Sequence, residues 1–189
     1  MSQDRLPPIP AEQWTEDQRR YAQVIIDGPR GGLISPFIPL LRSPELMDHA
    51  GRMGEYLRYR SALELRLSEF AILLVARHWS QQVEWAIHAP IALKAGVSAA
   101  TVEAIAAGRR PEAMQDDEAD VYAFSTELLQ NQGVSQPSWD AVVRRFGEQG
   151  AMDLTGINGY YALLSMVMNA ARTPVPDGLE MRLPPRHLA

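Results

Sequence analysis

Cysteine is absent from the 189 residues, which excludes disulfides, thiolate metal ligation and any thiol redox cycle carried by this chain alone. Long basic runs are absent as well. With 18 Lys and Arg against 23 Asp and Glu, the formal charge of −5 gives no electrostatic reason to expect nucleic acid as a partner. No apolar stretch approaches the length of a bilayer-spanning helix, and Met1–Pro10 lacks the apolar core of a signal peptide. Neither a membrane partner nor export is expected, and the expected location is cytoplasmic. Internal repeats, phosphate-binding glycine motifs and nucleophile elbows are also missing.

What is present suits a folded globular chain: 46% of the residues are hydrophobic and 22% charged. A single domain over 1–189 is expected, with its core at about 43–172. The proline-rich ends, 1–10 and 174–189, are expected to lie as extended arms over a surface and to be able to wrap a neighbouring subunit.

Strand-type alternation does not occur, and the periodic segments predict an all-α chain of about eight helices. Thr15 with Gln18 forms a capping-box pattern that opens a helix near 16–27, closed by Gly28. The loop Gly28–Pro39 holds three glycines and three prolines, so backbone restrictions set its path. Ser43 and Pro44 read as N-cap and first residue of a helix to about Tyr59. Leu65–Ala76 is apolar on nearly every face and predicts a helix buried on all sides. Further helices are expected near 81–95, with a bend at Pro90, and from Ser98 to about Gly108. Three more fall near 115–131, 136–146 and 149–172, the last two separated at Gly147. The acidic stretch Asp116-Asp117-Glu118 with Asp120 fits a helix N-terminus.

Two residues stand out chemically. On a helix, Glu84 and His88 are i, i+4 neighbours, and a carboxylate beside an imidazole fixes its tautomer and raises its basicity. The pair lies beside Trp85 and an apolar helix, where an unpaired charge is costly. Arg58, Arg60 and Arg77 are candidates for gripping a substrate carboxylate through the two-pronged guanidinium. His78, Gln81 and Trp85 are further candidate substrate-binding residues, and His49, Tyr161 and Asn169 are possible pocket liners. A metal site built from Glu84, His88 and His78 lacks further ligands at a recognised spacing, so no metal is expected.

The pattern Arg-x-x-Glu followed by an apolar run at Arg66–Ala76, then Val83-Glu84-Trp85-x-x-His88 and the break Ala95-Gly96-Val97-Ser98, resembles the core segment of the carboxymuconolactone decarboxylase family. Gly159-Tyr160-Tyr161-Ala162-Leu163-Leu164 through Asn169 and Pro174 is similar to that family's closing helix. The resemblance covers about half of the chain and implies several things. These are an alkylhydroperoxidase D-like helical bundle, a small-molecule pocket near the Glu84/His88 helix, a homo-oligomer of trimer or hexamer type, and lyase chemistry without a cofactor. In that chemistry a carboxylated lactone loses carbon dioxide and receives a proton, here from His88 oriented by Glu84.

The related peroxidase branch carries Glu-x-x-Cys-x-x-Cys-x-x-x-His. Its two cysteines would fall on Gln81 and Glu84 and its glutamate on His78, so the thiol route of that branch is closed to this chain. The alternatives to an acid/base enzyme are therefore a non-catalytic oligomeric binding protein, or a peroxidase-type oxidoreductase in family label only.

Overall fold

Helix α4, Leu65–His78, is the axis of the molecule: every residue from Leu67 to Ala76 is buried. A helix that is apolar on all faces must be covered on all faces, and α4 is packed by α5 (Gln82–Ala95), α6 (Ala99–Ala106), α7 (Asp116–Asn131) and α8 (Gln136–Ala171). The other elements are α1 (Glu16–Asp27), the short α2 (Phe37–Leu40) and α3 (Pro44–Tyr59), with a 3-10 turn at Ala11–Gln13. The structure, a computed structural model, describes residues 4–29, 31–179 and 183–184. Among them there are eight α-helices and no strand. One continuous cluster of buried apolar side chains runs from Ala22 in α1 to Leu183 in the tail.

Local chemistry fixes most helix ends. The Thr15 side chain accepts from Gln18 N while Gln18 accepts from Thr15 N, forming the predicted capping box. Ser98 caps α6 by accepting from Thr101 N at 3.0 Å. Ser43 does occupy the N-cap of α3, but its side chain makes no capping bond, and Pro44 alone marks the start. Gly96 ends α5 at φ 107°, a conformation glycine adopts without penalty. Helix α5 runs through Pro90 to Ala95. Gly147, with φ 71° and ψ 175°, breaks α8 into two helical stretches, as the spacing predicts. Three of the four residues of α2, Phe37 to Pro39, lie within the segment expected from sequence to be loop.

The acidic start of α7 clamps other helices. Arg66 of α4 reaches Asp117 and, at 3.0 Å, Glu118, and Asp120 pairs with Arg145 at 2.7 Å. The described part of the N-terminal arm lies along its own chain. Arg5 donates from N to Ala171 O at 2.8 Å and from Nη1 to Ala170 O at 3.0 Å. Arg42 donates to the carbonyls of Leu6 and Pro7. From the tail, Leu183 O accepts from Gln82 Nε2 at 3.2 Å. Residues 180–182 and 185–189 of the proline-rich tail lie outside the described residues.

Candidate active site

The turn between α4 and α5 sets the site. Gln81 caps α5 with its own side chain, Oε1 accepting from Glu84 N at 3.1 Å and from Val83 N, while its Nε2 donates to Asn169 Oδ1 at 3.2 Å. Asn169 in turn donates from Nδ2 to Trp79 O at 3.0 Å, which ties the end of α8 to this turn. Both Gln81 and Asn169 therefore hold backbone in place. With α5 started there, Glu84 and His88 fall one helical turn apart on the side that faces α4 and α8.

The Glu84/His88 pair is formed, with Glu84 Oε2 at 3.2 Å from His88 Nε2. A third member, Glu69 of α4, places Oε2 at 2.6 Å from His88 Nδ1. All three are buried, with Glu69 1%, Glu84 3% and His88 4% exposed. Burial alone would lower the basicity of the imidazole. The hydrogen bonds to Glu69 and Glu84, followed by their charges, outweigh it and push the ring up to about 9. At neutral pH the ring is therefore an imidazolium that donates from both nitrogens. Tyr161 of α8 meets it edge-on, ring centroids 5.2 Å apart at 87°. Burial first, then the Glu84 charge, raises the Tyr161 phenol well above its usual value, while the charge of Arg58 opposes this.

One atom of the cluster is left over. Glu84 Oε1 is buried with no hydrogen-bond partner among the described residues, and so is the neighbouring Trp85 Nε1. A buried carboxylate oxygen without a donor costs free energy that the rest of the fold must offset.

The remaining candidates are dispersed. Trp85 is packed in the core at 1% exposure. Arg58 is half-buried at the end of α3, with its charge felt at Tyr161. Arg60 is exposed, 3.9 Å from Glu55 and over the Tyr56 ring. His49 is exposed on α3. Arg77 and His78 line a surface depression of about 100 Å³ between α4, α6 and α7. No residue of α5 lines it, so these two side chains are not brought to His88. Among the described residues no three His, Asp or Glu side chains are arranged to hold a metal ion, and no helix is long and apolar enough to cross a membrane.

Sequence spacing identified Glu84 with His88 but missed Glu69. The signal for it was present: Glu69 is the one charged residue between Leu67 and Ala76, in a helix predicted to be buried on all sides. An ionised carboxylate there demands a partner. Compared with models of known protein families and with curated proteins, the chain matches none.

Proposed function

We propose that the chain is an acid/base enzyme that acts, without a cofactor, on a small carboxylated or lactone-like compound, with Glu69, His88 and Glu84 as its proton relay. The observation that carries this reading is the free Oε1 of Glu84. Both nitrogens of His88 are engaged by carboxylates, so the atom of the cluster able to meet a substrate is that oxygen.

In a decarboxylation the carbon–carbon bond to the carboxylate breaks, carbon dioxide leaves, and the electron pair passes into the adjacent unsaturated lactone. A proton must then reach carbon. It leaves the imidazolium at Nε2 for Glu84 Oε2, and rotation of the Glu84 carboxyl group carries that O–H to the substrate, while Glu69 holds the ring through Nδ1. An imidazole pushed up to about 9 is loaded with this proton at neutral pH. Arg58, whose charge acts on Tyr161, is the arginine we assign to grip the substrate carboxylate.

The test is turnover of a panel of small lactones and carboxylic acids, followed by carbon dioxide release and by loss of substrate. Wild type is expected to turn over at least one of them. His88→Ala and Glu84→Gln are each expected to lose about 100-fold or more in kcat, as removal of a positioned acid does. Turnover that survives both substitutions would remove the site.

A second reading has its own observation. The three groups are at most 4% exposed, which also suits a structural ion cluster in a non-catalytic, oligomeric binding protein. Absence of turnover on every member of the panel favours that reading.

A further inference from the structure

Arg66 and Arg77 sit on the same helix in opposite circumstances. Arg66 is surrounded by Glu64, Asp117 and Glu118. Arg77 is half-buried, its Nε is buried with no hydrogen-bond partner among the described residues, and no carboxylate there pairs with it. A buried N–H without an acceptor is costly to keep. Its position is nevertheless built. Gly108, at φ 70°, presents bare backbone to it, and a Cβ there would stand 2.9 Å from Arg77 Nη2.

The surroundings describe what would complete this group. Arg77 and the exposed Arg109 line the depression of about 100 Å³ together with Leu74, Ile105, Tyr122 and Leu129, and no Asp or Glu is among its lining residues. Arg110 adds a third positive charge, 5.2 Å over the Tyr122 ring. Arg77 and Arg109 in the depression and Arg110 beside it have no carboxylate partner among the described residues, in contrast with a chain whose formal charge is −5. The walls combine these apolar side chains with His78, Thr126 and Gln130, and no negative charge lines them. The depression, about 100 Å³ and open on one side, is smaller than the cavity of about 150 Å³ that encloses benzene, so a single ring would lie in it partly exposed.

We propose that this depression is a binding site for a small organic carboxylate. The flat apolar body lies against Leu74, Ile105, Tyr122 and Leu129, and the carboxylate is held by the fork of Arg77 with Arg109 beside it. The site shares no residue with Glu69, His88 and Glu84, and it stands whether or not those three catalyse a reaction.

Calorimetric titration with benzoate, and separately with inorganic phosphate, tests it on the full chain. Benzoate is expected to bind wild type, and to bind Arg77→Met about tenfold more weakly or worse, because the methionine keeps the apolar stem and loses the charged fork. Arg109→Met, at an exposed position where folding is not at stake, is expected to weaken benzoate several-fold. Glu84→Gln is expected to leave benzoate binding unchanged. Without ligand, Arg77→Met is expected to melt no lower than wild type, since it removes an N–H that is buried without an acceptor; a purely structural arginine would show a loss. Benzoate affinity that is equal in wild type and both arginine variants overturns the proposal, as does affinity lost in Glu84→Gln and kept in Arg77→Met. Phosphate binding tighter than benzoate overturns the assignment of an apolar body to the ligand.

Discussion

The His88 imidazole has an ordinary value of 6.5 and is pushed up to about 9 between Glu69 and Glu84, so protonation of this ring favours the folded state. The contribution is complete below 6.5 and is lost as pH rises through about 9. The groups facing the ring are Glu69 from α4, Glu84 from its own helix and Tyr161 from α8, with Arg58 acting on Tyr161. The melting temperature of wild type is therefore expected to fall between pH 7 and pH 9, and His88→Gln is expected to show a flatter profile over the same range. Equal slopes in thermal melts of the two proteins would show that the ring is not held as described. Tyr161 adds a loss of the same sign at higher pH, above its ordinary 10.0, because the fold prefers the neutral phenol. The i, i+4 spacing of Glu84 and His88 was legible from sequence because a helix supplies its own geometry. Glu69 was not, because its approach to His88 depends on how two helices dock. What sequence did hold was the cost of a lone carboxylate in an apolar run.

Among the elements, the break in α8 carries the clearest consequence. The φ 71° and ψ 175° of Gly147 lie in a region essentially reserved for glycine. Gly147→Ala is expected to cost about 1–3 kcal/mol in chemical denaturation, with the relay geometry unchanged. Helix bounds were readable wherever a side chain caps or a glycine stops the backbone, as at Thr15, Ser98, Gly96 and Gly147. They were unreadable where neither occurs. The four residues of α2 are too few to show a period, and Phe37, Pro39 and Leu40 are buried by contact with other helices. At Ser43 the residue type was right and the mechanism differed, since Pro44 needs no hydrogen-bond acceptor at the first helical position.

At the scale of the molecule, the surface retains more large apolar side chains than solvent favours. Leu46, Met53 and Tyr59 on α3 and Met152 and Met166 on α8 are 44–53% exposed. The homo-oligomer we propose, for which the resemblance implies a trimer or hexamer, would cover side chains of this kind. Sedimentation at micromolar concentration is expected to give a multiple of 21.0 kDa, and a species of that mass alone would refute assembly. The all-helical class was legible because period and cap signals recur along the whole chain, whereas assembly depends on surfaces that sequence pattern does not mark.

The bonds from Arg5 to the carbonyls of Ala170 and Ala171 join residues 165 or more positions apart. The arm is thus synthesised before all of the helices that separate it from its docking place. During translation it must wait undocked while α1 to α7 emerge. The end of α8, which also holds the turn before α5 through Asn169, is secured by the arm only after α8 itself has been made.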